Sequence, residues 1–405
     1  MVLFAILKNA VMKNVFFPLI CCIVCFLSPS ALFAQKDQEI SQSIEGHIFR
    51  PRQLTATAEL IGSLQLPPGF VIEKFAEGLG KPRMLAVAGN GSVYVTDREN
   101  GTLTLLQDQD GDGRAEIKKI LSKKEQLHGI ALSGDTLYLT TVKEVYRTTL
   151  RPDGGMDSLR LMAADLPDGG QHGNRTLGIG PGGELYVSVG STCNSCAETN
   201  KENATLLKMN RDGRTRTIFA KGLRNTIGFD WHPQTGELWG FDHGIDWLGD
   251  HEQQEELNKL EEGKDYGWPF VYADGKFDLH HEPKSISHEE YAAKSAEPVL
   301  LYEAHSSPLG FLFYTGSQFP AQFRNDAFVA MHGSWNKKEP SGYKIIRVNY
   351  ENGKPVGFED FITGFLTADK KGQFGRVCGL AEYTDGSLLV TDDTQGIVYR
   401  VSYRK

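Results

Sequence analysis

One hydrophobic pattern recurs six times along the chain. Each copy consists of a short apolar segment, a turn that contains glycine, and a segment in which apolar and polar residues alternate. Alternation with a period of two is typical of a β-strand that buries one face. The copies begin at Leu85, Ile130, Leu177, Ile227, Leu309 and Leu380, and the first three intervals are 45, 47 and 50 residues. Because intervals of this length accommodate four short strands and their turns, the sequence predicts an all-β fold, a six-bladed β-propeller with four-stranded antiparallel blades.

The segments outside the repeats set the expected boundaries. Phe70–Phe75 has strand character and precedes the first copy, so we expect it to complete the last blade and remove two exposed sheet edges. The fourth and fifth copies carry insertions, and the stretch from Asp274 to Glu297, rich in histidine and acidic residues, is expected to be a solvated surface excursion. The propeller is predicted over residues 67–405, after a lead-in of residues 35–66.

The first 34 residues have the features of a secretory signal. Val15–Leu27 is apolar, follows two lysines and precedes small residues, and it is too short for a confident membrane span. We predict cleavage after Ala34, a periplasmic or secreted protein, and no stable membrane insertion. Loss of the two lysines changes the formal net charge from −8 to −10 and leaves three of the six cysteines.

Charge and cysteine content narrow the possible partners. Lysine and arginine total 43 against 51 acidic residues, without a basic cluster, so we expect no nucleic-acid partner. Cys193 and Cys196 are separated by two residues, and an oxidising compartment favours a disulfide between them. Zinc would need a second ligand pair, which we do not find in the sequence. Cys378 is expected to be buried.

A set of cationic and imidazole side chains precedes or begins the innermost strands of the predicted blades. In a propeller these positions converge on the central channel. Several guanidinium groups around one pit predict an anionic ligand with planar carboxylate or quinone oxygens, and the histidines can exchange protons. The set consists of Arg83, His128, His172 with Arg175, Arg224 with Asn225, His305 and Arg376.

Several motifs together resemble the glucose/sorbosone dehydrogenase family of pyrroloquinoline-quinone (PQQ) enzymes, most closely its sorbosone branch. The resemblance covers about residues 67–403, and the combination of motifs is specific although each motif alone is weak. The matching segments are Gly169–Leu177, Gly182–Cys196, Gly222–Gly228, Asp242–Asp246, Gly249–Asp250, Glu255–Asn258, Tyr266–Pro269, His332–Asn336 and Asp385–Asp393.

The resemblance implies a propeller that holds PQQ over its channel with Ca²⁺ beside it. His172 falls on the family's catalytic base, and Arg224 is expected to stabilise charge on the quinone oxygen. The expected cofactor contacts are Arg83, His128, Arg175, Arg224, Asn225, His243, His332 and Arg376. The expected calcium ligands are the carbonyl groups of Gly244 and Ile245, with Glu255 nearby.

The sequence departs from the glucose-oxidising branch at three places. His128 and His243 stand where that branch has glutamine. Arg175 follows His172 by three residues rather than four. These departures leave the contacts of the three side chains open.

The predicted function is oxidation of a sugar or sugar aldehyde, of the aldose or sorbosone type. Neutral His172 would remove the hydroxyl proton while a hydride passes to the quinone. The chain has no haem motif, so the electrons would leave to a separate cytochrome or quinone. Two alternatives remain: a Ca²⁺-dependent lactonase propeller, which needs converging carboxylates and amides, and a non-catalytic binding propeller.

Two further motifs have open interpretations. Asp108–Gly113 resembles the start of an EF-hand loop, but the twelfth position is Lys119, where an EF-hand has a bidentate glutamate. We interpret it as a β-turn between outer strands, with incidental Ca²⁺ binding as the alternative. Tyr266, Trp268 and Trp335 either wall the funnel or pack between blades.

Overall fold

The computed structural model describes residues 44–404 and forms six four-stranded antiparallel sheets, the blades of a β-propeller. The predicted fold class is therefore confirmed. The predicted signal peptide, residues 1–34, and the first part of the predicted lead-in lie outside the described residues. We number the blades 1 to 6 in chain order.

Blades 1, 2 and 3 follow one another directly along the chain. The strands of blade 1 are Pro82–Val87, Val93–Asp97, Thr102–Gln107 and Ile117–Lys123. Those of blade 2 are Gly129–Ser133, Thr136–Thr140, Val145–Thr149 and Arg160–Ala163. Those of blade 3 are Leu177–Ile179, Leu185–Val189, Thr205–Met209 and Arg216–Lys221.

Blades 4 and 5 are longer, and blade 6 closes the ring. The strands of blade 4 are Phe229–Trp231, Leu238–Asp242, Glu255–Leu260 and Leu300–Tyr302. Those of blade 5 are Pro308–Phe313, Ala327–Met331, Lys344–Glu351 and Lys354–Ile362. Those of blade 6 are Val377–Glu382, Leu388–Asp392, Ile397–Tyr403 and, outermost, Phe70–Ala76.

The remaining elements are short and lie between or beside the blades. They are the helices Ala58–Gly62 and His288–Ala292, the 3-10 helix Ala321–Phe323, the hairpin of Val271–Tyr272 with Lys276–Phe277, and the parallel pair of Arg52–Gln53 with Gly372–Gln373. No helix within residues 44–404 is long and apolar enough to cross a membrane.

The ring is closed by the N-terminal strand, as predicted. Phe70–Ala76 pairs antiparallel with Ile397–Tyr403, so both ends of the propeller share one sheet. The ring of Phe70 also packs edge to face against aromatic rings of blade 5, with centroid distances of 4.8 to 5.1 Å. Hydrogen bonds and aromatic packing therefore stabilise the closure together.

The first strand of each blade is innermost and lies against the first strand of the next blade. In blades 2 to 6 a glycine in or next to the inner strand, distinct from the glycine of the turn, permits this approach. A Cβ on Gly310 would collide with the carbonyl oxygen of Cys378, and one on Gly379 would collide with that of Arg83. The repeated glycine is thus required by inter-blade spacing, which brings residues at the starts of the inner strands close together.

Candidate active site

A cavity of about 300 Å³ opens where the inner strands begin, and we call it the pit. Arginine, histidine, asparagine and carboxylate side chains make up most of its lining. The lining residues are Arg83, His172, Asn174, Arg224, Asn225, Ile227, His243, Gly244, Asp246, Glu255, His305, Ser307, Leu309, His332, Trp335, Asn336 and Arg376. The sequence-predicted Arg83, His172, Arg224 and Arg376 therefore meet in one place.

Buried aspartates at the ends of second strands position the loops that enter the pit. The Asp242 carboxylate accepts hydrogen bonds from the backbone N–H groups of Arg224 and Asn225, both at 2.8 Å. Asp392 accepts one from the N–H of Arg376 at 3.0 Å. Each carboxylate fixes the backbone just before an inner strand, so the arginine side chains begin from fixed points.

Arg83 and His332 share one carboxylate at the pit wall. Asp393 lies 2.5 Å from Nη1 of Arg83 and 3.1 Å from Nε2 of His332. These two partners hold the pKa of Asp393 well below its usual range despite its burial. Nε of Arg83 is buried without a hydrogen-bond partner among the described residues. Arg83 therefore has donor capacity that the protein itself does not use.

Arg224 is only 3% exposed and is held by the loop that contains the two neighbouring cysteines. Its Nε donates to the carbonyl oxygen of Asn194 at 2.8 Å, and its Nη2 donates to Oδ1 of Asn194, also at 2.8 Å. Cys193 and Cys196 are joined by a disulfide, which closes this loop around Asn194. We call residues 191–198 the disulfide loop.

The same loop determines the tautomer of His172. Nδ1 of His172 lies 2.9 Å from the carbonyl oxygen of Ser191 and 2.8 Å from its hydroxyl oxygen. That hydroxyl donates to the carbonyl oxygen of Cys193, so its lone pairs face His172. Both neighbours of Nδ1 are thus acceptors, which places the proton on Nδ1 and leaves Nε2 with a free lone pair.

The imidazoles of the pit are neutral at physiological pH. Burial, reinforced by the positive charge of Arg224, lowers the pKa of His172 to about 3. Burial also lowers the pKa of His243 to about 3, and burial with the Arg376 charge lowers that of His332 to about 4. At neutral pH these three imidazoles therefore carry no charge, and the arginines supply the positive charge of the pit.

Two predicted cofactor contacts are fully buried outside the pit lining. The Arg175 guanidinium donates to the backbone carbonyl oxygens of residues 142, 167, 168 and 172, and this turns it into the protein. His128 bonds through Nδ1 to the carbonyl oxygen of Arg175, and its Nε2 has no partner among the described residues. Arg175 thus braces the backbone of His172 from behind.

The predicted calcium ligands are only partly gathered at the pit. Gly244 and Glu255 line it, whereas Ile245 is buried and absent from the lining. The Glu255 carboxylate accepts from the backbone N–H groups of Gly244 and Ser307. Burial raises its pKa to about 8. Asp246, which the sequence did not single out as a site residue, adds a second carboxyl group to the pit lining.

Several pit residues were missed because they lie outside the repeat positions. Asp246 and Asn336 come from the loops after second strands and bond to each other at 2.8 Å. Each of the two ends a segment that resembles the family in sequence, and this position is the signal that could have identified them as pit residues. Of the aromatic candidates, Tyr266 and Trp268 are buried between blades, whereas Trp335 lines the pit.

Two other features lie away from the pit. Asp108, Asp110, Asp112 and Glu116 cluster in the turn between the third and fourth strands of blade 1, as the turn interpretation predicted. A groove of about 650 Å³ beside helix Ala58–Gly62 is lined by mixed charges, of which Lys74 and Glu77 pair with each other. Neither feature provides a converging set of unused donors.

The donor set of the pit suits a planar polyanion with an oxygen-bound cation beside it. Arg83 has an unused buried donor, and the guanidinium groups of Arg224 and Arg376 retain N–H groups after their protein contacts. The carboxyl groups of Glu255 and Asp246, which both line the pit, are the hard oxygen ligands that calcium prefers.

Fold and site together define a six-bladed β-propeller with a cationic, histidine-lined pit. The chain belongs to the TrAA12-like family, whose sequence model matches residues 64–404.

One similar protein and one similar structure carry the names of sugar dehydrogenases, and a second similar structure is of a family AA12 protein. The chain is 24% identical to a pyrroloquinoline quinone-dependent sugar dehydrogenase of Hypocrea jecorina, over 82% of this chain and 87% of that one. The holo form of the PQQ domain of Coprinopsis cinerea pyranose dehydrogenase superposes with a TM-score of 0.73 at 20% identity, covering 84% of this chain and 97% of that one. The calcium structure of Trichoderma reesei Carbohydrate-Active Enzymes Family AA12 superposes with a TM-score of 0.73 at 22% identity. The match covers 84% of this chain and 97% of that one.

The resemblance found in the sequence is thus confirmed at the level of PQQ-type sugar dehydrogenases. Its assignment to the sorbosone branch stays a prediction.

Proposed function

We propose that this protein is an exported quinoprotein sugar dehydrogenase that binds PQQ and Ca²⁺ in the pit and oxidises a small sugar or sugar aldehyde. The observation that carries the proposal is the convergence of Arg83, Arg224 and Arg376 with neutral His172 in one cavity. The names of the relatives support the cofactor and substrate class. Residues 1–34 would be the signal peptide, and residues 67–405 the enzyme domain.

The arginines bind and orient the anionic cofactor. Arg83 and Arg376 approach from blades 1 and 6, and Arg224 with Asn225 approaches from blade 4. Guanidinium groups meet carboxylate and quinone oxygens with paired hydrogen bonds, so three of them fix both position and plane. His243 and His332 lie beside them as neutral polar groups. When bound, the quinone supplies an acceptor for the hydride of the sugar.

His172 acts as the general base. Its Nδ1 is protonated and hydrogen-bonded to Ser191. Nε2 therefore takes the proton of the hydroxyl group that is attached to the reacting carbon of the sugar. Arg175 holds the backbone of His172, and Arg224 lies close enough to favour its neutral form. Arg175 is a positioning residue in this proposal, because its donors are directed to backbone oxygens. His128 likewise lies behind the pit.

The calcium ion would lie beside Gly244, Glu255 and Asp246. Their side-chain and carbonyl oxygens fit a hard cation, and a divalent charge would favour the ionised form of buried Glu255. Electrons would then leave to a separate cytochrome or quinone, since residues 67–405 carry no haem motif.

An absorbance titration of the cofactor-free protein with PQQ, with and without Ca²⁺, tests the proposal. It is followed by a screen of aldoses and sugar aldehydes with an artificial electron acceptor. We expect saturable quinone binding that depends on Ca²⁺, and quinone-dependent dye reduction. Lactone hydrolysis without quinone would favour the lactonase alternative, and neither activity would favour a binding propeller.

The role of His172 is tested separately with His172→Ala. We expect the variant to bind quinone and to lose most turnover, because only the base has been removed. Full activity in this variant would exclude His172 from the mechanism.

A further inference from the structure

The rim of the pit is uneven, because the loops that follow the second strands differ in length. In blades 3, 4 and 5 these loops span residues 190–204, 243–254 and 332–343. In blades 6, 1 and 2 they span only residues 393–396, 98–101 and 141–144. Residues of the long blade 4 and blade 5 loops line the pit. The three short loops belong to consecutive blades, so one side of the rim is low, and we call it the low side.

Arg98 stands on the low side and has no partner in the described part of the protein. Its Nε is buried without a hydrogen-bond partner, and its terminal nitrogens form no ion pair or hydrogen bond within residues 44–404. The acids beside it in the sequence are engaged elsewhere. Asp97 accepts hydrogen bonds from the backbone N–H groups of Lys81 and Asn100. Glu99 forms an ion pair with the side chain of Lys81. All donors of this guanidinium are therefore unused.

The surroundings of Arg98 are cationic. Burial and the charge of Arg83 lower the pKa of Arg98, and burial with the charge of Arg98 lowers the pKa of Arg175 to about 10. The nearby carboxylates of Asp393 and Asp168 are already paired, the first with Arg83 and the second with a lysine. An anion bound at Arg98 would therefore relieve a repulsion that the protein leaves uncompensated.

Arg98 also lies beside the proposed general base. Its Nη2 would be 3.2 Å from a Cβ added to Gly173, which follows His172 directly in the chain. Neighbouring Cα atoms are about 3.8 Å apart, so the guanidinium lies within about two such spacings of the His172 backbone. Asn174, the next residue, lines the pit, and its Oδ1 is buried without a hydrogen-bond partner among the described residues. Unused polar atoms thus extend from the pit lining to Arg98.

We propose that Arg98 binds a carboxylate of the substrate, and that this substrate is a uronic acid oxidised at its anomeric carbon. The proposal rests on the proposed function. In a uronic acid the anomeric carbon and the carbon that carries the carboxyl group lie on opposite sides of the ring oxygen. The anomeric hydroxyl then lies at Nε2 of His172 while the carboxylate lies at the low side. The hydroxyl gives its proton to His172 and its carbon gives a hydride to the quinone, so the product is a lactone of an aldaric acid.

The substrate suits this position better than the cofactor does. Arg83, Arg224 and Arg376 line the pit, whereas Arg98 does not. A cofactor confined to the pit therefore meets three guanidinium groups without Arg98. A sugar that covers the cofactor extends beyond the pit lining, and the short loops leave room for it on the low side. A guanidinium meets a carboxylate there with two parallel hydrogen bonds.

Calorimetric titration of the PQQ- and Ca²⁺-loaded protein tests the subsite without turnover, once the quinone has been reduced and oxygen removed. The probes are D-glucuronate and its neutral counterpart D-glucose. We expect D-glucuronate to bind at least tenfold more tightly. Arg98→Gln should weaken its binding roughly ten- to hundredfold and leave that of glucose unchanged. Arg98→Lys should recover part of the loss, because it keeps the charge but not the paired donors. Equal affinities for the two sugars in the wild type would overturn the proposal.

The matched control is Arg160→Gln, which removes the same charge elsewhere. Arg160 and its neighbour Leu161 are exposed on the outermost strand of blade 2. We expect this variant to bind both sugars like the wild type. Because Arg98 has no partner in the described residues, Arg98→Gln should also keep the thermal midpoint of the wild type. A clearly lower midpoint would identify Arg98 as a structural residue and overturn the proposal.

Kinetics of the oxidised enzyme give the second measurement. Arg98→Gln should raise the KM of D-glucuronate by the factor seen in binding while kcat changes little, since the carboxylate is held equally in the ground and transition states. Because Arg98 is partly exposed, added salt should raise the KM of D-glucuronate but not that of glucose. A salt effect of equal size on both sugars would contradict the ion pair.

The outcomes separate the subsite from the proposed function. Glucuronate binding that depends on Arg98, without quinone-dependent oxidation of any sugar, would support the subsite and refute the dehydrogenase. Quinone-dependent oxidation of glucose without a preference for glucuronate would refute the subsite alone. A higher Kd for PQQ in Arg98→Gln with unchanged sugar binding would assign Arg98 to the cofactor. A higher KM for the electron acceptor alone would assign it to the acceptor, and either result would overturn the proposal.

Discussion

Asn194 connects the disulfide loop to the centre of the pit, and its removal has a definite expected effect. Its Oδ1 accepts hydrogen bonds from Nη2 of Arg224 at 2.8 Å and from the N–H of Asp246 at 2.9 Å. Its Nδ2 donates to the carbonyl oxygen of Asp246 at 3.0 Å. Asn194→Ala deletes all three bonds and leaves the bond from Nε of Arg224 to the backbone of residue 194.

The magnitude follows from the kinds of bond removed. The bond to the Arg224 guanidinium is charge-assisted and contributes about 1.5–3 kcal/mol, and each neutral bond contributes about 1 kcal/mol. Because Asn194 is partly exposed, water replaces part of the lost hydrogen bonding. We therefore expect the free energy of unfolding to decrease by about 2–3 kcal/mol. If half of that loss weakens the hold on Arg224, the Kd for quinone rises roughly tenfold.

Three measurements on Asn194→Ala check the estimate: quinone titration, turnover, and the thermal midpoint. Ser195→Ala is the matched control, because Ser195 lies in the same loop but its hydroxyl bonds to Asp278, away from the pit. We expect it to lose about 1 kcal/mol of stability with unchanged quinone affinity. Equal quinone affinity in the wild type and Asn194→Ala would refute the view that this loop orients Arg224.

Three further predictions concern protonation and the disulfide. Because the pKa of His172 is lowered to about 3, kcat/KM should lack an acid limb near pH 6.5, and an inflection there that disappears in His172→Gln would contradict this. Burial lowers the pKa of His128 from 6.5 to about 3, so between these pH values the unfolded chain binds more protons than the folded chain, and stability falls as the pH decreases. His128→Gln should therefore lessen the fall in thermal midpoint from pH 7 to pH 4. An unchanged pH dependence in this variant would contradict the prediction. Mild reduction of Cys193–Cys196 should lower turnover severalfold and reversibly, checked against thiol counting by mass spectrometry, because both Ser191 and Asn194 depend on this loop. Loss of activity without reduction of this disulfide would contradict the last prediction.

The blade architecture was predictable because it is a property of the repeat. Alternating apolar residues recur in every copy, and a glycine in or next to the inner strand recurs in five of the six, with Met84 at that place in blade 1. These are the features that pack one blade on the next. The closing strand was predictable for the same reason, since the last repeat lacks a fourth strand of its own. The path of residues 44–54 was not predictable, because these residues have no repeat. They are held by hydrogen bonds to loops and by the short parallel pairing of Arg52–Gln53 with Gly372–Gln373.

The pit was predictable only in part. A place in the repeat fixes where a residue stands along an inner strand, and this brought Arg83, Arg224 and Arg376 together. It does not fix the direction of a long side chain. Arg175 occupies an equivalent place, yet its guanidinium donates to four backbone carbonyl oxygens behind the pit and does not line the cavity. Asp246 was missed because it belongs to a loop rather than to the repeat.

The disulfide loop joins the two halves of the proposed chemistry, which the repeat positions alone would leave independent. Ser191 keeps the proton of His172 on Nδ1, and Asn194, three residues later, holds the guanidinium of Arg224. A shift of this loop would therefore change the base and the charge-stabilising group at once. Such coupling predicts that Ser191→Ala and Asn194→Ala have non-additive effects on kcat, whereas either combined with Leu161→Ala should be additive. Additive effects of the first pair would mean that the base and the arginine are oriented separately.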